Sequence, residues 1–365
     1  MARNIYLVGS VPMANAQDVF AQVSAALGPR IKRLPDGETG VRGDWITWLE
    51  PVFADNPAFV KSGEFFRVHA SGGTGRERFA LKPGLRAADV QFGNLFYADI
   101  AKQSYAVFKA LKDAGKIPAG TKFQVDLVPA HSVIWLFLVD ALHAPIDPLY
   151  NAALKREIDK IAAAIPHDEL AIQFDVASAV FARLERNEAS SYGRSKAEMQ
   201  ETFSAIVADL GNRVPAGVDL LYHLCYGDSN HRHVVEPTDM ADMVEFANRL
   251  SRTIRRPIDL IHMPVPRNRA DDAYFEPLKR LTLRPETELC LGLVHYTDGV
   301  EGTKQRLATA RKYASAFSAT RPTRFMSFIP AMPCTTLQKM TGPMIIRIRL
   351  MNTSPRGLVF SARPG

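Results

Sequence analysis

Val218-Asp219-Leu220-Leu221-Tyr222-His223-Leu224-Cys225-Tyr226 is the stretch from which the fold is read. Its first half is mostly apolar, the right length for one buried strand and too short for a helix, and it ends in an imidazole and a thiol. A helical pattern at 237–252 then leads to a second apolar run at 258–263. Strand, helix and strand in that order make a parallel pair with a crossover. Side chains alternate along an extended chain, so His223 and Cys225 share one side and reach toward one point beyond the strand's end. Such convergence supplies half of a zinc site.

Outward from this unit the same alternation recurs. Strand candidates fall at 5–8, 31–34, 123–128, 170–174, 218–222, 258–263, 289–295 and 324–329, with helical patterns at 16–26, 96–114, 149–164, 196–210, 237–252, 272–281 and 301–317. Eight strands with helices between them predict the α/β class and a (β/α)8 TIM barrel. A doubly wound sheet is the alternative, but no Gly-x-Gly-x-x-Gly turn follows the first strand. The last unit, at 324–329, has no clear helix after it. Residues 1–330 are therefore read as a single catalytic barrel, with a Gly- and Phe-rich, lid-like excursion at about 45–95, and 331–365 as an atypical basic C-terminal segment.

A barrel requires its reactive side chains just after the strands. They stand there: Ser10 after the first, Asp36, Glu38, Arg42 and Asp44 after the second, and Pro129-Ala130-His131-Ser132 after the third. The fourth ends in Gln173-Phe174-Asp175, the fifth in His223 and Cys225, the sixth in His262, the seventh in His295 with Asp298, and the eighth is followed by Cys334. Asp175, at the end of an apolar strand, is costly to bury without a partner, which favours a functional role. Cys290, among Leu289, Leu291 and Leu293, reads as a packing residue.

Hydrophobic residues make up 47% of the 365, enough for a substantial core. Three cysteines, an odd number scattered along the chain, argue against a disulfide framework and for reduced thiols. No leader pattern or membrane-length apolar run is present, so a cytoplasmic location is expected. The formal charge of +7 resembles a nucleic-acid signal until it is located: 302–365 holds eleven Lys or Arg and no acid, which leaves the body before it mildly acidic. Those charges are spread out, without dense basic clusters or interleaved aromatics. Neither nucleic acid nor membrane is expected as a partner, and the oligomeric state is not legible.

Taken in order, these posts resemble the catalytic barrel of the cobalamin-independent methionine synthase family, within the superfamily that also holds uroporphyrinogen decarboxylase. Gly9-Ser10-Val11-Pro12 is similar to the family's Gly-Ser-aromatic-Pro, and Asp36-Gly37-Glu38-x-x-x-Arg42-x-Asp44 to its His-Gly-Glu-x-x-Arg-x-Asp with one residue added. Ile172-Gln173-Phe174-Asp175 looks like its Ile-Gln-Ile-Asp, and His223-x-Cys225-Tyr226 like its zinc-binding His-x-Cys. The resemblance runs from the first strand to about the seventh. It implies a Zn²⁺-dependent methyl transfer to a thiol such as homocysteine from a methyl-pterin (a folate) or another donor. It also implies that Glu38 and Asp175 act at the catalytic centre by gripping the substrate's amino group, with Ser10 at the substrate's backbone end; His295 and Asp298 are further pocket candidates.

Two positions depart from the pattern. Pro264 stands where the family's glutamate ligand falls, and His262, two residues earlier on the same side, is the candidate replacement. Cys334 is near the place of the last cysteine ligand, with different neighbours. The expected metal set is thus His223, Cys225, His262 and Cys334. Two other readings stay open. One is a metal-free lyase of the uroporphyrinogen decarboxylase kind, needing an arginine pair such as Arg42 and Arg267. The other is a barrel that binds a thiol or pterin without catalysis.

Overall fold

Parallel strands joined by helices dominate the computed structural model, which describes residues 5–67, 75–227, 233–295, 298–318 and 327–328. The strands in chain order are β1 (Tyr6–Leu7), β2 (Arg33–Pro35), β3 (Phe59–Phe66), β4 (Arg76–Leu81), β5 (Lys122–Leu127), β6 (Leu170–Val176), β7 (Asp219–Leu224), β8 (Leu260–Pro264), β9 (Glu288–Gly292) and β10 (Ser327–Phe328). The helices are α1 (Ala16–Leu27), α2 (Glu50–Ala54), α3 (Tyr97–Asp113), α4 (Ala130–Phe137), α5 (His143–Ala164), α6 (Ser178–Arg186), α7 (Lys196–Arg213), α8 (Ala241–Thr253), α9 (Asp272–Phe275) and α10 (Gly299–Ser318). The α/β class read from the sequence holds. Each of the eight expected strands has its counterpart.

Six of them, in the order β2-β5-β6-β7-β8-β9, form one parallel sheet. β1 pairs in parallel with β10, and just before it Ile5 makes an isolated parallel bridge to Ile31, ahead of β2. Among the described residues no ladder joins β9 to β10. Within the expected excursion lie α2 and the antiparallel hairpin β3-β4, bonded to the segment after α4 where Val139 N donates to Phe79 O. Residues 329–365, including Cys334, lie outside the described residues.

Alternation along the strands sorts the core into two parts. One face of the sheet, with Val125, Leu127, Ile172, Phe174, Leu220, Ile261 and Leu289, packs beneath the helices in the main core. The other face carries a small separate cluster of Tyr6, Ala171, Leu221, Leu260 and Cys290, so Cys290 is buried as a packing residue but on the face opposite Leu289, Leu291 and Leu293. Each large apolar side chain so buried contributes about 1.5–3 kcal/mol. Past this cluster, toward the strands' carboxyl ends, the inner face turns polar.

Charge closes the opposite end of the sheet. Arg33 and Lys122, each at the start of its strand, both reach Asp219 at 2.6 Å, and Lys32 meets Glu288 at 2.9 Å. These pairs neutralise one another, so chemistry is left to the carboxyl end. Among the described residues no helix is long and apolar enough to cross a membrane.

Candidate active site

Strand register sets the first feature. Asp175 of β6 is the partner of His223 on β7, and His223 the partner of His262 on β8, so three polar side chains stand abreast on the inner face. The two imidazoles face each other with Nδ1 to Nδ1 at 2.7 Å and ring centroids 4.8 Å apart. Burial lowers the His223 imidazole to about 3, and burial and then His223 hold His262 well below the usual range. Both rings are therefore neutral at physiological pH, the state in which histidine offers a lone pair to a metal. One ring donates and the other accepts.

Cys225 stands one residue beyond the end of β7, where its amide continues the ladder to Val176 O at 2.9 Å. Its Sγ accepts a hydrogen bond from Gly227 N at 3.2 Å, in a turn where Gly227 takes φ +76°. Among the described residues no three His, Cys, Asp or Glu side chains are arranged to hold a metal. The donor set thus fits part of a zinc centre: two facing imidazoles, with the Cys225 sulfur not drawn in as a third. Pro264 can offer no side-chain ligand, and its carbonyl accepts from Tyr274 Oη at 3.0 Å.

The second feature is a group of buried carboxyls. After β2 the chain turns through Gly37 at φ +83°, where a Cβ would come within 2.7 Å of Val19, and then through Glu38 at φ +49°. A left-handed glutamate costs about 1–3 kcal/mol, the kind of strain that persists at functional positions. Here it swings Glu38 to accept from Ser10 Oγ. Asp36 is held by Arg42, by Ser104 Oγ at 2.7 Å and by the Glu38 amide at 3.1 Å. Asp175 accepts from Gln173 Nε2 at 2.7 Å, and that amide also reaches Val8 O at 2.6 Å while Tyr6 Oη donates to its oxygen.

Asp126 was not singled out in the sequence. It accepts from Gln124 Nε2 at 2.9 Å, on the same inner face. Burial, then Asp175 and Glu38, raises its carboxyl well above the usual carboxylate range. Burial and Glu38 do the same to Asp175, and burial raises Glu38, with Ser10 and Arg42 pulling against the rise. Polar Gln124 and Asp126 two apart in an otherwise apolar strand were the available signal. Attention fell instead on the loop after it, where His131 packs its ring against Phe203 in the helical layer at 5.2 Å.

Other expected residues are engaged elsewhere. His295 Nε2 lies 2.7 Å from Val265 O, and Asp298 binds Arg306 at 2.6 and 2.9 Å, while Arg306 also holds Leu293 O and Arg267 O. Arg42 is bound to Asp36, and Arg267 is exposed. The structure brings together Ser10 with Glu38 and sets Asp175, His223 and His262 in one row.

No protein-family model and no curated protein sequence matches the chain. Among solved structures it is similar to a Listeria monocytogenes protein described as "Putative Vitamin-B12 Independent Methionine Synthase", at 13% identity and a TM-score of 0.46, over 89% of this chain and 82% of that one.

Proposed function

We propose that this chain is a zinc-dependent methyltransferase acting on an amino-bearing thiol such as homocysteine, with a methyl-pterin or a related donor, on a (β/α)8 barrel closed by β1 and β10. The single observation that carries the reading is the neutral His223–His262 pair in register with the buried Asp175. Zinc, when bound, holds a thiol as its thiolate at neutral pH, where a free thiol is only a few per cent ionised. His223 and His262 would hold the metal, with Cys225 and Cys334 as the sulfur donors. Glu38 and Asp175 accept hydrogen bonds from the substrate's ammonium and fix the thiol end over the imidazoles, and Ser10 holds the Glu38 carboxyl in place. Buried inner walls exclude water from the thiolate. Reduced cysteines make the cytoplasm the compartment this reading requires.

Methyl transfer from a methyl-pterin to homocysteine tests it. Turnover is expected to stop with a strong chelator, return with Zn²⁺, and be absent in His262→Ala. Turnover that resists chelation would remove the metal and favour the lyase reading, which lacks support here because Arg42 is committed to Asp36. Tight thiol binding without transfer from any donor would leave the binding-only barrel.

A further inference from the structure

We propose that Asp126 sets the substrate class of this site, so that the preferred thiol is an aminothiol with no carboxylate beside its ammonium. The inference rests on the thiol-binding reading above and narrows it. Asp126 Oδ2 lies 2.9 Å, and the Glu38 carboxyl carbon 3.6 Å, from the point where a Cβ on residue 9 would stand. Two carboxyls therefore flank the bare backbone of Gly9. Asp175 is turned toward the same inner face by the Gln173 amide, which also holds the Val8 carbonyl.

A second observation is independent of these acids. Gln124, 1% exposed, spends its Nε2 on Leu7 O, Val8 O and Asp126 Oδ1, which fixes the orientation of the amide. Its Oε1 is then a buried acceptor with no donor among the described residues. Three carboxyls and an amide oxygen ask for donors, and an ammonium supplies three N–H groups with no acceptor of its own. Arg42, a cation near the group, has its ion pair with Asp36. An ammonium brought among these acids favours their ionised form, so a carboxylate on the carbon that bears it would meet like charges in a desolvated site, at a cost of several kcal/mol.

Calorimetric titration of the zinc-loaded protein with 3-aminopropane-1-thiol, homocysteine and propane-1-thiol tests this. The wild type is expected to bind the aminothiol at least about tenfold more tightly than homocysteine, a preference that Asp126→Asn erases while leaving propanethiol affinity unchanged. Equal or tighter binding of homocysteine by the wild type overturns the inference and leaves the function intact. An Asp126→Asn variant that weakens all three thiols alike overturns it too. Failure of all three to bind, or binding indifferent to zinc, would sink the underlying reading instead.

Discussion

At the scale of single residues, function is written as local cost. Glu38 sits, half-buried, in a left-handed conformation with its carboxyl pushed upward by desolvation. Replacing it with glutamine removes the crowded charge and keeps the shape. Glu38→Gln is therefore expected to be about 1 kcal/mol more stable in a denaturant melt, while its affinity for an ammonium-bearing thiol falls more than about tenfold. His131 carries a different cost. It is fully buried, both ring nitrogens lack partners among the described residues, and burial lowers it to about 3 from an ordinary value near 6.5. The unfolded chain takes up this proton below about pH 6.5 and the folded chain only near pH 3, so the penalty grows as pH falls through that window. His131→Leu should lose less melting temperature between pH 7.5 and 4.5 than the wild type; equal losses would show that this imidazole is not held neutral. Asp175 and His223 were legible because each ends an apolar strand with a group too costly to bury idly. Asp126 was not, since a polar residue within a strand reads as a solvated face until the other face of the sheet is known.

At the scale of elements, the pairing of β8 with β9 positions the His262 imidazole. A Cβ at Gly292 would stand 3.0 Å from His262 Nε2 and 3.2 Å from the Pro264 backbone, so the glycine is the space into which the ring fits. Gly292→Ala is expected to turn the His262 ring away from His223 and weaken zinc about 10- to 100-fold with the circular dichroism spectrum unchanged, as supporting groups around metal ligands do when altered. Zinc affinity at the wild-type value would show that the ring's place is set by something else. Strands were read well because each is an isolated apolar run. Helix α4 was missed because Ala130, His131, Ser132, Val133, Ile134, Leu136 and Phe137 are all buried, leaving no polar stripe to mark a helical period. Helix α6 was passed over because it is short and follows Asp175 almost at once. The hairpin β3-β4 stayed hidden because it lies outside the βα repeat and exposes much of β3, Phe65 included.

At the scale of the whole molecule, the two ends of the sheet divide the labour. Paired charges seal the end where the strands begin, and crowded acids and neutral imidazoles gather where they finish. That polarity was foreseeable from the barrel expectation, which places chemistry after the strands. Whether a sulfur joins the two imidazoles was not, because sequence spacing does not report distance. Zinc content of the purified full-length protein is the direct measurement, made on the wild type and on His223→Ala and His262→Ala variants that keep the wild-type circular dichroism. About one tightly held zinc per chain is expected in the wild type and only traces in either variant. A wild type without zinc after reconstitution, or variants that hold it as tightly, would contradict it.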